Sequence, residues 1–199
     1  MELTKRQEDI VQAAISLIAR EGYKHLTTKN LARELQLTEA ALYRHFTNKN
    51  DLITKILEHF SEISCAVLQQ IKDARLDPLE RVHRFVLNRY ELFSANPDLA
   101  QVMFSEELFR YDPAFAGQMQ SIMQMHRKAV VGYLRQARKQ GQIVESSQPE
   151  ELFRIIVGSM RMLVSQWNLS GQSFNLVAEG EKLWRTIRNL ILVAQPGRA

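Results

Sequence analysis

The chain has 199 residues, of which 45% are hydrophobic, and a formal net charge of +4. This length suits one domain or two small ones, and the charge permits a nucleic-acid partner without requiring one. The single cysteine excludes a disulfide framework within the chain, and no apolar run approaches the roughly 18 residues of a membrane span, so we expect a soluble, cytoplasmic protein with no membrane partner.

The N-terminal quarter of the sequence has the pattern of three short amphipathic helices. Apolar residues recur at a spacing of three and four over residues 5–21, which predicts the first helix. Thr27 and Thr38 have side chains that cap helix N-termini, and they precede predicted helices over about residues 28–34 and 39–45. Short helices that follow one another this closely must be joined by tight turns.

Beyond Asn48, a further capping residue, the pattern changes to long amphipathic segments. We predict six helices, at about residues 49–72, 78–94, 97–109, 113–140, 149–169 and 174–194. No stretch of useful length alternates between apolar and polar residues, as a half-buried strand would. The sequence therefore predicts an all-α protein of about nine helices, with a three-helix N-terminal domain followed by an antiparallel helical domain.

Residues 27–46, TTKNLARELQLTEAALYRHF, contain the second and third helices and the turn between them. Two short helices joined in this way form a helix-turn-helix, whose second helix can enter the major groove of DNA. The pattern assigns one set of apolar residues to the small core between the helices: Leu31, Ala32, Leu35, Leu37 and Leu42. The opposite face of the second helix is then available for contact with DNA.

Residues 10–52 resemble the DNA-binding domain of the TetR family of bacterial transcription regulators. The resemblance rests on Ala13-Ala14, Glu21-Gly22-Tyr23, Thr27-Thr28, Leu31-Ala32 and Leu42-Tyr43-Arg44-His45-Phe46, followed by Lys49 and Leu52. It implies a helix-turn-helix DNA-binding domain over residues 1–48 and a helical effector-binding and dimerisation domain over residues 49–199. The family often has glycine where this chain has Gln36 in the turn and Ala40 in the recognition helix.

The resemblance also implies a function and a set of contact residues. It implies a homodimeric regulator, a repressor that a small-molecule effector releases from a near-palindromic operator in double-stranded DNA. The residues implied to contact the phosphate backbone are Thr28, Thr38, Tyr43, His45 and Lys49. Those implied to lie nearest the base edges are Glu39, Ala40, Ala41 and Arg44.

Elementary chemistry supports several of these roles and leaves alternatives open. Hydroxyl groups and the Lys49 ammonium can donate to phosphate, and Arg44 can pair with guanine O6 and N7. Tyr43 could instead pack between the helices, and His45 could be a core or capping residue. Arg44 could contact phosphate or only solvent, and Glu39 could be a first-turn charge that stabilises the helix.

Aromatic residues and methionines are concentrated after residue 49, which suits either an adaptable ligand pocket or an ordinary helical core. Taken with the resemblance, they suggest an effector pocket formed by Phe60, Met103, Phe104, Met119, Met123, Arg161 and Trp167. Arg161 interrupts an apolar helix, so it is either buried with a partner or part of an exposed stripe.

The last two predicted helices carry apolar residues on more than one face, which indicates burial against another subunit. In the resembled family these two helices pair with their mates in a four-helix dimer interface. We therefore expect a homodimer that is formed through Met160, Val164, Leu183, Trp184, Ile187 and Ile191.

Two functions of other classes compete with a ligand-responsive repressor. A DNA-bound adaptor that is regulated by a protein partner would share every N-terminal feature. An all-α enzyme has little support, since the sequence contains no phosphate-binding glycine loop, no HExxH motif, no metal-ligand cluster and no nucleophile motif. We expect a protein that is not an enzyme and needs no cofactor or metal.

Overall fold

The computed structural model describes residues 4–105, 108–109 and 113–192. Within them the chain forms nine α-helices: α1 (Lys5–Glu21), α2 (Thr28–Glu34), α3 (Glu39–Tyr43), α4 (Lys49–Asp73), α5 (Pro78–Ala95), α6 (Pro97–Met103), α7 (Pro113–Lys139), α8 (Pro149–Leu169) and α9 (Leu176–Ile191). A 3-10 turn, Tyr23–His25, follows α1, and an isolated β-bridge joins Ile143 to Leu192. The predicted all-α fold is confirmed.

The short helices α2 and α3 and the long helix α4 begin at capping residues, as the sequence predicts. The side-chain oxygens of Thr27, Thr38 and Asn48 each accept a hydrogen bond from the backbone N–H three residues further on, at 3.1, 3.1 and 2.9 Å. These bonds satisfy N–H groups that have no partner within the helix. Because a cap is a local feature, its position could be predicted without knowledge of the packing.

The predicted helix over residues 97–109 is wrong in its extent. Helix α6 ends at Met103, and the backbone of Phe104, with φ −105°, is no longer helical. The Ser105 hydroxyl accepts a hydrogen bond from the N–H of Leu108 at 3.2 Å, and residues 108–109 are again helical. A serine side chain that bonds to the backbone in this way competes with continuation of a helix.

Smaller shifts affect two other predicted helices. Helix α3 ends at Tyr43, two residues before the predicted end at 45. Helix α9 begins after Asn175, whose side chain accepts from the N–H of Ala178 at 3.0 Å, and not at 174. The predicted end of that helix at 194 lies outside the described residues.

The chain forms two compact units. The first comprises Met1–Ile63 and Asn96–Ile122, and the second comprises Ser64–Ala95 and Met123–Ala199. This division differs from the boundary between residues 48 and 49 that the sequence suggests. A DNA-binding domain over residues 1–48 and an effector domain over residues 49–199 therefore stay a prediction about function.

In the first unit, α1 supports the helix-turn-helix. Its inner face is buried and consists of Ile10, Val11, Ala14, Ile15, Leu17 and Ile18. The Ser16 hydroxyl donates to Asp98 of α6 at 2.7 Å, and the Arg20 guanidinium donates to Glu34 of α2 at 2.9 Å. The bond from Arg20 lies on the surface, so the apolar face of α1 contributes most of the support.

In the second unit, α5, α8 and α9 pack around buried aromatic side chains. The Trp184 ring is stacked on His83 with ring centroids 5.4 Å apart. The Nε2 atom of His83 lies 2.9 Å from a carboxylate oxygen of Glu181, and the Trp167 indole N–H donates to the carbonyl oxygen of Phe174 at 2.9 Å. Among the described residues, none of the helices combines the length and apolar character that crossing a bilayer requires.

Candidate nucleic-acid interface

The core of the helix-turn-helix is formed by fewer residues than the sequence suggests. Leu31, Ala32 and Leu42 are buried, as expected, and Phe46 joins them. The other two expected core residues, Leu35 and Leu37, are only half-buried. The small Ala32 side chain allows α2 and α3 to approach each other closely, because a larger side chain there would have to occupy the space between them.

The turn between α2 and α3 has left-handed backbone geometry at a residue that is not glycine. Gln36 has φ 54°, and the N–H of Leu37 bonds to the carbonyl oxygen of Ala32 at 2.8 Å. A residue with a Cβ pays about 1 kcal/mol or more for this conformation. The chain therefore makes the same kind of helix C-terminus as a glycine would, at some cost in stability.

The outer face of α3 presents the side chains that were predicted to meet DNA. Thr38, Glu39, Ala40 and Arg44 are exposed, whereas Ala41 and His45 are half-buried. Within the described part of the chain, Arg44 makes neither an ion pair nor a side-chain hydrogen bond, so its guanidinium has all its donors available.

Tyr43 also belongs to the outer face. Its side chain is 51% exposed. The alternative that Tyr43 packs between the helices is therefore wrong, and its hydroxyl is available to donate to a phosphate oxygen.

Two residues of the predicted interface contact each other. The Thr28 hydroxyl, at the first position of α2, donates to the Glu39 carboxylate, at the first position of α3, at 2.7 Å. Both residues were predicted to contact DNA, Thr28 at a phosphate and Glu39 at a base. The sequence could not reveal this bond, because it depends on the angle at which the two helices cross.

Lys49, predicted as a phosphate contact, is half-buried and held by Tyr23. Its ammonium donates to the carbonyl oxygen of Tyr23 at 2.8 Å and lies 3.5 Å from the centre of the Tyr23 ring. The sequence gives no signal that Tyr23 positions this charge, because the two residues are 26 positions apart and meet only through the packing of their segments. The Lys49 phosphate contact stays a prediction.

The residues suggested for an effector pocket are divided between the two units. Phe60, Met103, Phe104 and Met119 belong to the first unit, and Met123, Arg161 and Trp167 belong to the second. Phe60, Met103 and Trp167 are buried, whereas Met123 is 41% exposed. The pocket itself stays a prediction.

Of the two alternatives for Arg161, the structure shows the exposed position and not the buried one. Among the described residues, the buried arginine is Arg89 of α5, which is 1% exposed and donates to the Ser64 hydroxyl at 2.9 Å. Burial lowers the pKa of Arg89 to about 10, so the guanidinium is still charged at neutral pH.

His126 of α7 lies in the same interior. Its ring meets the Phe85 ring edge-on, with centroids 5.1 Å apart. Burial, and next the positive charge of Arg89, lower the pKa of His126 to about 4. His126 is therefore neutral at neutral pH, which avoids a second positive charge beside Arg89.

Most residues suggested for the dimer interface lie in the interior of the chain. Met160, Val164, Trp184, Ile187 and Ile191 are buried, and Leu183 is partly exposed. The five buried side chains are covered mainly by the subunit itself, so they do not form an exposed surface for another subunit. The apolar residues that do reach the surface of α8 and α9 are Ile155, Met162, Leu169 and Leu190.

An all-α chain with a helix-turn-helix and an exposed recognition helix defines the class of helix-turn-helix DNA-binding proteins. Residues 10–56 match the bacterial regulatory proteins of the tetR family, and residues 55–192 match the C-terminal region of YsiA-like proteins. The chain belongs to the tetR family and is a DNA-binding transcription regulator of that family.

Similar proteins of known sequence or structure agree with this assignment. Nucleoid occlusion factor SlmA of Vibrio campbellii is 35% identical over 107 residues, 53% of this chain and 54% of that protein, so the match spans about half of its length. The structure of the ketosteroid transcriptional regulator KstR2 of Mycobacterium tuberculosis has a TM-score of 0.84 at 19% identity and covers 96% of this chain and 97% of that one.

A second solved structure, the transcriptional regulator FadR from Bacillus subtilis in complex with stearoyl-CoA, has a TM-score of 0.78 at 20% identity. The match covers 92% of this chain and 97% of that one. At identities this low, the two structures show that the fold is shared.

Proposed function

We propose that this chain is a homodimeric repressor that binds a near-palindromic operator through α3 and is released from it by a small molecule. The observation that carries the proposal is the exposed face of α3, where Ala40, Tyr43 and the following Arg44 are open to solvent. Two copies related by a two-fold axis would present the same face to two half-sites, so the operator would be a near-palindrome.

The homodimer is supported by an exposed apolar stripe on α8. Ile155, Met162 and Leu169 follow one another at a spacing of seven residues, and they are 53%, 60% and 86% exposed. Leu183 and Leu190 have the same spacing on α9, where Leu190 is 77% exposed. Residues seven apart lie on one side of a helix, as in helices that pack against each other lengthwise. Exposed apolar stripes of this kind mark interaction surfaces.

A small-molecule effector is supported by the solved FadR structure, which contains stearoyl-CoA. The effector need only bind the form that is unable to bind DNA more tightly, by about 1–3 kcal/mol, to release the operator usefully. The matched family and structures are regulators. We accordingly propose that the chain has no enzymatic activity of its own.

A second candidate is a DNA-bound adaptor that answers to a protein partner. It is favoured by the match to nucleoid occlusion factor SlmA, which covers 53% of the chain. That protein is named for nucleoid occlusion and not for a small-molecule effector. In this case the exposed stripe of α8 and α9 would still form the homodimer, but no small molecule would weaken DNA binding.

The DNA-binding part of the proposal is tested by selection of duplexes from a random pool with the purified full chain. We expect enrichment of a near-palindrome with one half-site for each subunit. The variant Arg44→Ala should then relax the preference at one position in each half-site by about 1–3 kcal/mol. Failure to enrich any sequence would contradict the proposed function, and an unchanged preference profile in Arg44→Ala would remove Arg44 from base recognition.

The two candidates are separated by adding stearoyl-CoA and shorter acyl-CoA esters to the complex of the chain with its selected operator. Release at ligand concentrations below those that form micelles would support the small-molecule repressor. If a panel of metabolites and acyl-CoA esters leaves operator affinity unchanged, while a purified protein partner changes it, the adaptor would be the better description.

A further inference from the structure

The hydrogen bond between Thr28 and Glu39 joins the two helices of the DNA-binding motif. The donor is at the first position of α2 and the acceptor is at the first position of α3, and they are 2.7 Å apart. Glu39 is exposed and Thr28 is half-buried. A long, exposed glutamate side chain loses conformational freedom when it is held in this way, so the bond fixes a carboxylate that would otherwise move freely in solvent.

The hydrogen bond limits which further hydrogen bonds Thr28 and Glu39 can make. A threonine hydroxyl has one proton, and here Thr28 gives that proton to an oxygen of Glu39. A phosphate offers only acceptors, so the Thr28 hydroxyl has no proton left to donate to the DNA backbone while the bond to Glu39 is intact. A phosphate contact through the Thr28 hydroxyl therefore conflicts with the geometry of the site.

The hydrogen-bonding capacity of Glu39 determines which groups on DNA it can recognise. An ionised carboxylate only accepts hydrogen bonds, and one Glu39 oxygen is not used by Thr28. Facing DNA, the carboxylate is repelled by phosphates and needs a donor on a base edge. In the major groove the donors are the amino groups of cytosine and adenine, and Glu pairs with N4 of cytosine.

From this geometry we infer that Thr28 is a positioning residue, which holds Glu39 so that its carboxylate reads the N4 amino group of a cytosine in each half-site. The inference rests on the proposed operator binding. It specifies which base is recognised and which two residues recognise it. Glu39 sets the preference, and Thr28 acts only through Glu39.

The inference is tested with the selected operator, its single-base variants and a random duplex. In the wild-type chain, one position in each half-site should prefer cytosine by about tenfold, which is within the range for one base contact. Both Thr28→Val and Glu39→Ala should remove the preference at that position and leave the others unchanged. Thr28→Ser keeps the hydroxyl and should retain the preference. The double variant should be no worse than Glu39→Ala alone, because the two residues act as one unit.

A matched control is provided by Thr47. Its hydroxyl also donates to a carboxylate, that of Asp51, at 3.2 Å, but it lies in the turn before α4. Thr47→Val should therefore leave every base preference unchanged.

Three results would overturn the inference while leaving operator binding intact. Thr28→Val could weaken all base variants and the random duplex alike, and do so in the Glu39→Ala background as well, as a phosphate donor would. Glu39→Ala could leave the profile unchanged. The position that responds to Glu39→Ala could prefer a base other than cytosine. A wild-type chain that enriches no sequence would instead overturn the proposed function, and this inference with it.

Discussion

The ring of Tyr90 in α5 lies directly against the backbone of Gly180 in α9. A Cβ atom added at residue 180 would be 2.3 Å from Cδ2 of that ring, well inside van der Waals contact. Tyr90 is 2% exposed, and burial raises the pKa of its hydroxyl above the usual value. A glycine within a helix is unfavourable by about 1 kcal/mol relative to alanine, and here the close packing of an aromatic ring offsets that cost.

We expect Gly180→Ala to destabilise the protein by about 1–3 kcal/mol, because the added methyl group must displace a buried ring. Gly132→Ala is the matched control, since among the described residues nothing lies within 4 Å of a Cβ at that mid-helix position. This control should be neutral or stabilising by up to about 1 kcal/mol. Urea unfolding measures both. In a Tyr90→Leu background the Gly180→Ala penalty should disappear, and its persistence there would contradict the explanation.

The close approach at Gly180 could not be predicted from the sequence, because it depends on how two separate helices pack. Thr27 and Thr38 could be identified as caps because a cap depends only on the next three residues. The sequence leaves open whether Arg161 is buried or exposed, and it gives no sign that Arg89 is buried. Both arginines interrupt apolar helices. The neighbouring helices, and not the spacing of apolar residues within the helix itself, determine which side of such a helix faces inward.

The features of the recognition surface that lie within one helix could be predicted from the sequence, and those that join separate segments could not. The repeat of apolar residues identified the outer face of α3 and the exposed Arg44 that follows it, because that face is defined within one short helix. The bonds that join separate segments, from Thr28 to Glu39 and from Lys49 to Tyr23, could not be predicted. They depend on the crossing of helices, which the pattern of a single helix does not determine.

The low pKa of His126 makes stability depend on pH in a defined window. In the unfolded chain the pKa is about 6.5, whereas in the folded chain it is lowered to about 4. Between these values the unfolded state binds a proton that the folded state does not, so stability falls as the pH falls from about 6.5 to about 4. From pH 7 to pH 5 we expect His126 to account for a loss of about 2 kcal/mol.

Urea unfolding at pH 7 and pH 5 tests this expectation when the wild-type chain is compared with His126→Gln. The variant lacks the titrating group and should lose about 2 kcal/mol less over the same interval. In Arg89→Met the pKa of His126, followed by NMR, should rise because the nearby positive charge is removed. Equal pH dependence of the wild-type chain and His126→Gln would show that His126 is not the titrating group.

We expect Lys49→Met to weaken binding to operator and random DNA alike and to reduce the slope of log affinity against log salt by about one, because one phosphate contact loses its charge. Tyr43→Phe should weaken both complexes without changing the slope, since only a hydroxyl is lost. Lys55→Met is the matched control on the same helix, because the Lys55 ammonium is 2.7 Å from the Glu58 carboxylate. A Lys49→Met variant that keeps the full slope would exclude the phosphate contact and leave Lys49 as an anchor for Tyr23.

The exposed apolar residues of α8 and α9 form the surface that we propose for the dimer. Met162 is 60% exposed and Leu190 is 77% exposed, so a glutamate at either position is tolerated in an isolated subunit. In a dimer interface, however, the same charge would be buried without a partner, which is costly. We expect Met162→Glu and Leu190→Glu to give folded monomers that have lost specific operator binding, because a single recognition helix contacts only one half-site.

Met160 and Met123 provide two contrasting controls. Met160 is buried, so Met160→Glu should unfold the subunit, whereas Met123 on α7 is 41% exposed and Met123→Glu should leave the dimer intact. Sedimentation, circular dichroism and operator binding on the same samples distinguish dissociation from unfolding. The dimer model would be wrong if Met162→Glu and Leu190→Glu both remained dimeric. It would also be wrong if the wild-type chain were a monomer that binds a single half-site with full affinity.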